Sequence, residues 1–186
     1  ARRLIDAGAD GVKIEGESES LDQVRAVANE GIAVCAHIGY TPQTDGARAR
    51  VQGKDLERAI ELMDIATQLE DAGAMLIVLE LIPERLAREI TDCVTIPTIG
   101  IGAGRHCDGQ VQVVLDIAGL SERVYKHAKA YGTIGDAYRS VVNGYAHEVR
   151  EGAFPSPSNA FRLPDDVFKE IRTWCETHRR QGGPQR

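Results

Sequence analysis

The chain has no Cys-x-x-Cys pair: Cys35, Cys93, Cys107 and Cys175 fall at irregular spacings. That spacing excludes a zinc ribbon. A chain of 186 residues is also too large to depend on disulfide staples, so reduced thiols and a cytoplasmic setting are expected. No apolar run approaches the roughly 18 residues of a membrane span. The N-terminus lacks the charged-then-apolar order of a signal peptide. A basic excess is missing too: the formal net charge is -6, which argues against a nucleic-acid footprint of clustered Lys and Arg. Neither nucleic acid nor a membrane is therefore expected as a partner. What is present is apolar material, 42% of the residues, enough to bury one sizeable core.

Strand and helix signals alternate through the first part of the chain, which implies a parallel sheet. Asp6-Ala7-Gly8-Ala9 reads as a turn after a helix and leads into a short strand, Gly11-Val12-Lys13-Ile14-Glu15. The design returns 65 residues later, with Leu69-Glu70-Asp71-Ala72-Gly73-Ala74 followed by Met75-Leu76-Ile77-Val78-Leu79-Glu80. Leu4 then matches Leu69, and Glu15 matches Glu80. The glycine supplies the left-handed conformation that ends a helix, and the apolar run suits a strand buried on both faces. Two more strands fit the pattern, Ile32-Ala33-Val34-Cys35-Ala36-His37 and Thr95-Ile96-Pro97-Thr98-Ile99-Gly100-Ile101, giving four β/α units.

Helical stripes lie between them: Leu21, Val24 and Ala28; Leu56, Ala59, Ile60, Met63 and Ala66; and residues 83–92, opened by Pro83. Beyond about residue 121 the strand signals stop. Ile134, Ala137, Tyr138, Val141, Val142, Tyr145, Ala146 and Val149 predict a packed helix over 135–151. A turn at Phe154-Pro155-Ser156-Pro157-Ser158 leads to a last amphipathic segment with Val167, Phe168, Ile171 and Trp174. Residues 177–186 read as a disordered tail.

In parallel β/α folds ligands bind at the carboxyl ends of the strands. Glu15, His37 and Glu80 each end a predicted strand, and Gly100-Ile101-Gly102-Ala103-Gly104 follows the fourth. Lys13 lies two residues before Glu15, so strand alternation points both side chains to one face. They either form a buried ion pair or divide two tasks, the carboxylate binding Mg²⁺ and the ammonium holding an anionic substrate. Glu80, between Leu79 and the pair Leu81-Ile82, has the apolar setting that suits a general base; alternatively it is a carboxylate near a helix N-terminus ahead of Pro83. His37 is followed by the turn Gly39-Tyr40-Thr41-Pro42-Gln43, which can surround substrate. The alternating glycines lack GxGxxG spacing, so close approach of backbone amides to a small anion is expected rather than nucleotide binding. His106, Cys107 and Asp108 resemble metal ligands but have no second pair at zinc spacing, and read as loop residues.

These segments together resemble ketopantoate hydroxymethyltransferases. The motifs that carry the resemblance are Asp6-Ala7-Gly8-Ala9-Asp10-Gly11-Val12-Lys13-Ile14-Glu15-Gly16, Ala36-His37-Ile38-Gly39-Tyr40-Thr41-Pro42-Gln43, Val51-Gln52-Gly53, Val78-Leu79-Glu80, Ile96-Pro97-Thr98-Ile99-Gly100-Ile101-Gly102-Ala103-Gly104 and Cys107-Asp108-Gly109-Gln110. Gly152-Ala153-Phe154-Pro155 resembles the family's C-terminal end, so the likeness extends to about Phe161. The resemblance implies a (β/α)₈ TIM barrel in the α/β class, represented here by its C-terminal half over residues 1–161. A helical extension follows over 162–176. It also implies Mg²⁺, transfer of a hydroxymethyl group from 5,10-methylenetetrahydrofolate to 3-methyl-2-oxobutanoate to give 2-dehydropantoate, and a homo-oligomer. Residue by residue, Glu15 matches a metal ligand, Lys13 a contact to the substrate carboxylate, His37 a substrate-pocket position, and Glu80 the base.

Departures from the family pattern are equally legible. The chain opens at Ala1-Arg2-Arg3-Leu4, without Met and inside a helix, as expected where upstream residues are missing. An Asp-Ser pair and a further Asp metal ligand belong to that upstream region in the family. Four strands cannot close an eight-stranded barrel. The loop Thr44-Asp45-Gly46-Ala47-Arg48-Ala49-Arg50 differs from the family's usual Gly- and Tyr-containing sequence. Two other classes stay open at this point: a non-catalytic paralogue that binds the full enzyme, and a barrel enzyme of the phosphoenolpyruvate mutase and isocitrate lyase type.

Overall fold

Glycine-ended helices and short apolar strands assemble into one parallel sheet. The structure, a computed structural model, describes residues 1–45, 49–123 and 125–178. Part of the unusual loop, residues 46–48, and most of the expected disordered tail, residues 179–186, lie outside the described residues. The strands are β1 (Gly11–Glu15), β2 (Ala33–Gly39), β3 (Leu76–Glu80), β4 (Thr98–Ile101) and β5 (Gly109–Gln110). The α-helices are α1 (Arg2–Asp6), α2 (Leu21–Asn29), α3 (Pro42–Asp45), α4 (Leu56–Asp71), α5 (Glu84–Cys93), α6 (Val114–Ile117), α7 (Ile134–Arg150) and α8 (Asp165–His178). The chain groups into two compact units, Ala1–Gly135 and Asp136–Arg186.

The sheet order is β1-β2-β3-β4-β5 and every neighbouring pair is parallel. Sequential parallel strands joined by right-handed crossovers place their helices on one face, the arrangement of a β/α barrel segment. Alternation then decides the core. Val34, Ala36 and Ile38 of β2 and Ile77 and Leu79 of β3 pack with Val24, Leu62, Ile65, Leu69, Ala87 and Ile90 from α2, α4 and α5. Burying a side chain of this size stabilises the fold by about 1.5–3 kcal/mol before entropy is counted. The intervening residues Lys13, Glu15, Cys35, His37, Val78 and Glu80 belong to the opposite face.

The internal repeat is a structural one. Gly8 and Gly73 adopt φ of +99° and +98°. The Ala9 and Ala74 amides donate to the carbonyls of Leu4 and Leu69, each at 3.0 Å, and the glycine amides donate to Ile5 and Glu70, each at 2.9 Å. A side chain at Gly73 would press on Ala28 Cβ at 2.7 Å, whereas nothing crowds Gly8.

Several expectations are corrected. β5 is an additional strand: two residues long and without an apolar run, it has no signature of its own and exists through pairing with β4. On α4 the buried face is Leu62, Ile65, Ala66 and Leu69, while Leu56 and Ile60 are exposed. Both faces of that helix carry apolar residues, so periodicity alone could not choose between them. Helix α7 forms where expected, but Tyr138, Val141, Val142, Tyr145 and Val149 are exposed rather than packed. An apolar stripe specifies a face and leaves its partner unspecified. Helix α8 runs to His178, two residues into the predicted tail.

Candidate functional site

β1, β2 and β3 deliver one polar side chain each to the same end of the sheet. Parallel register sets Glu15 beside His37, and Gly39 beside Glu80. His37 is 1% exposed and stands between the two carboxylates: Nδ1 is 3.5 Å from Glu15 Oε2, and Nε2 is 3.2 Å from Glu80 Oε2. Neither contact has hydrogen-bond geometry, and among the described residues no other group satisfies either ring nitrogen. A buried imidazole left this way is a polar group in search of a partner, which is uncommon outside functional sites. The two carboxylates retain access to solvent, with side-chain exposures of 14% and 16%.

The backbone around these groups is tightly held. Glu15 Oε1 accepts from the Gln43 amide at 2.8 Å, which anchors α3 over the end of β1. The Tyr40 amide donates to the Glu80 carbonyl at 2.9 Å. Gly39, at φ +98°, permits this approach, because a Cβ there would lie 2.2 Å from the Glu80 carbonyl oxygen. Spacing within the Gly39-Tyr40-Thr41-Pro42-Gln43 motif marks a turn, but only pairing shows that it touches both acids.

Lys13 lies on the exposed edge strand and is itself exposed. Among the described residues no ion pair joins it to Glu15, so the buried-pair alternative is set aside. Burial pushes the Cys35 thiol pKa up, and the Lys13 ammonium opposes that rise. Gly102 and Gly104 do not surround His37; they line a second cavity of about 670 Å³ with Leu81, Ile82, Gln110 and His127. Cys107 is buried and its thiol is pushed up by desolvation, the mark of an inert cysteine. Asp108 accepts from the Thr98 amide at 2.8 Å and from the Thr98 hydroxyl at 3.1 Å, a strut between β4 and β5 rather than a ligand.

Among the described residues no group of three or more His, Cys, Asp or Glu side chains is placed to hold a metal ion. Mg²⁺ is commonly held by one or two carboxylates with water and substrate oxygens completing its shell. The strand-end carboxylate of Glu15 therefore fits as one ligand of a shared site and makes no metal centre by itself.

Five sequential parallel strands with intervening helices define an α/β protein of the barrel-segment type, and the two acids and the imidazole stand at the carboxyl ends of the strands, where such folds bind ligands. The family model described as ketopantoate hydroxymethyltransferase matches residues 1–157. This chain belongs to the ketopantoate hydroxymethyltransferase family. A 3-methyl-2-oxobutanoate hydroxymethyltransferase from Clostridium acetobutylicum is 46% identical over 175 residues, covering 92% of this chain and 63% of the relative. One of the same name from Pyrobaculum islandicum is 50% identical over 159 residues, covering 84% of this chain and 60% of the relative. The chain thus spans somewhat under two thirds of the length of the curated relatives it matches. Among solved structures, a dihydrodipicolinate synthase from Agrobacterium tumefaciens aligns over 60% of this chain and 39% of its own, at 17% identity and a TM-score of 0.42.

Proposed function

We propose that this chain contributes part of the active site of a hydroxymethyltransferase acting on 3-methyl-2-oxobutanoate to give 2-dehydropantoate, in pantothenate and coenzyme A biosynthesis. The observation that carries this reading is the buried His37 held between Glu15 and Glu80, in a chain whose relatives bear that activity in their names. Glu80 is the base: its carboxylate takes the proton from C3 of the oxo acid, leaving an enolate whose C3 attacks the one-carbon unit. His37, with Nε2 3.2 Å from the Glu80 carboxylate, borders the substrate. Lys13, on the same face of β1 as Glu15, holds the substrate carboxylate. Glu15 would hold Mg²⁺, which when bound supplies positive charge to the carboxylate and carbonyl oxygens of the oxo acid. The one-carbon unit comes from 5,10-methylenetetrahydrofolate: its two C–N bonds break, one water supplies the hydroxyl and tetrahydrofolate leaves; the assembly is a homo-oligomer, and the setting is cytoplasmic.

Proton abstraction can be measured separately from transfer. In deuterated buffer with Mg²⁺ and no folate, the natural protein should exchange the C3 proton of 3-methyl-2-oxobutanoate, followed by proton NMR. Glu80→Gln should slow that exchange about 100-fold or more, the usual contribution of a general base. Unchanged exchange in Glu80→Gln would remove Glu80 from this role, and no exchange in the unsubstituted protein would count against the whole reading.

A further inference from the structure

β1, β2, β3 and β4 each leave the sheet through a residue with positive φ. Gly16 follows β1 at +136°, Gly39 ends β2 at +98°, and Gly102 follows β4 at +67°. The residue after β3 breaks the pattern chemically but not conformationally: it is Leu81, at φ +51°. Among the described residues it is the one non-glycine with positive φ, and it directly follows Glu80. In the internal repeat Leu81 takes the position of Gly16, 65 residues on, so a positive φ follows the strand-end glutamate in both copies, once with glycine and once, at a smaller angle, against the steric preference of a side chain.

What the side chain does is visible in its surroundings. Leu81 is 8% exposed, and its Cδ2 lies 2.8 Å from where a Cβ on Gly102 would stand, with the His127 ring 3.1 Å from the same point. The leucine therefore occupies the space that Gly102 leaves open. The backbone is held on three sides: Leu81 N–H donates to the Ile101 carbonyl at 2.9 Å, its carbonyl accepts from the Gln52 amide at 2.8 Å, and the preceding Glu80 carbonyl accepts from Tyr40. A strained conformation persists where its surroundings over-determine it, and such residues gather at functional sites.

We propose that Leu81 is a positioning residue for Glu80: wedged against Gly102, its side chain offsets the steric cost that its own Cβ imposes on the left-handed turn holding the Glu80 carboxylate at His37. Leu81 touches none of the reacting groups. This inference rests on the reading of Glu80 as the base.

The test compares Leu81→Ala with Leu81→Gly in the protein as its host makes it. Alanine removes the wedge but keeps the Cβ that disfavours positive φ, whereas glycine removes both. Leu81→Ala should lower kcat about tenfold or more with KM within about twofold, as misplacement of a catalytic group does. Leu81→Gly, although the deeper truncation, should stay within about threefold of the natural kcat because the turn no longer opposes its own backbone. Loss of packing alone would give the reverse order, so a glycine variant equal to or worse than alanine overturns the proposal. Leu81→Asn, which tolerates the left-handed region, should follow glycine, and these two arms decide the matter if the alanine variant does not fold. Amide exchange at Gln52, read by NMR or mass spectrometry, supplies an activity-independent arm. It should be faster in Leu81→Ala and close to natural in Leu81→Gly, while equal exchange in both overturns the proposal. If the natural protein turns over none of the proposed substrates, the transferase reading fails and the exchange ordering still decides whether the Leu81 wedge offsets the strain of the turn.

Discussion

Gly39 and Gly31 show how far the setting of a residue governs its tolerance to change. Both have positive φ, at +98° and +74°, but a Cβ at Gly39 would collide with the Glu80 carbonyl while nothing lies within 4 Å of one at Gly31. Gly31→Ala should therefore destabilise by about 1 kcal/mol from backbone conformation alone. Gly39→Ala should lose about 2 kcal/mol more, because the collision is with backbone that cannot step aside. Urea unfolding of the two variants checks the ranking. Of the site itself, Glu15 and Glu80 were legible as the residues that end β1 and β3, because alternation and the glycine turns locate those ends, whereas His37, read as the end of the second strand, lies two residues before it because pairing with β3 carries β2 on to Gly39. Their mutual contact was not legible, since it depends on the register of β2 against its neighbours, which no single segment contains.

Asp108 illustrates the element scale, where β5 depends on β4 for its existence. The Thr98 amide, as first cause, holds the Asp108 carboxyl below the usual carboxylate range, outweighing desolvation; the Thr98 hydroxyl and the Asp108 amide add to the lowering. A carboxyl with a lowered folded-state pKa contributes stability above its unfolded value, near 4, and loses that contribution as pH falls through the folded value. Asp108→Asn should accordingly be less stable than the natural protein at pH 7, with the difference shrinking to nothing in strong acid. Thermal unfolding across pH 7 to 2 measures this, and a constant difference would refute the charge argument. The strut also bears on why His106, Cys107 and Asp108 look like metal ligands in the sequence: the acid is there for β4, and its Oδ2 accepts both Thr98 hydrogen bonds.

At the scale of the whole molecule, the described helices α7 and α8 carry exposed Tyr138, Tyr145, Phe168, Ile171 and Trp174. Apolar surface of this extent favours association. The 186-residue chain prepared alone should bind an apolar dye such as ANS and sediment with a concentration-dependent mass; absence of both would show that this surface is inert. No described helix is long and apolar enough to cross a membrane. What the sequence by itself determined was the alternation of strands and helices, the 65-residue repeat with its matched glycines, and the acids at the strand ends, because each follows from local periodicity and backbone preference. Only the tertiary structure decided which face of α4 is buried, that β5 joins the sheet, and that a leucine adopts a turn otherwise made by glycine. Those outcomes depend on atoms brought together from distant segments, where packing and register outweigh the preferences of any one residue.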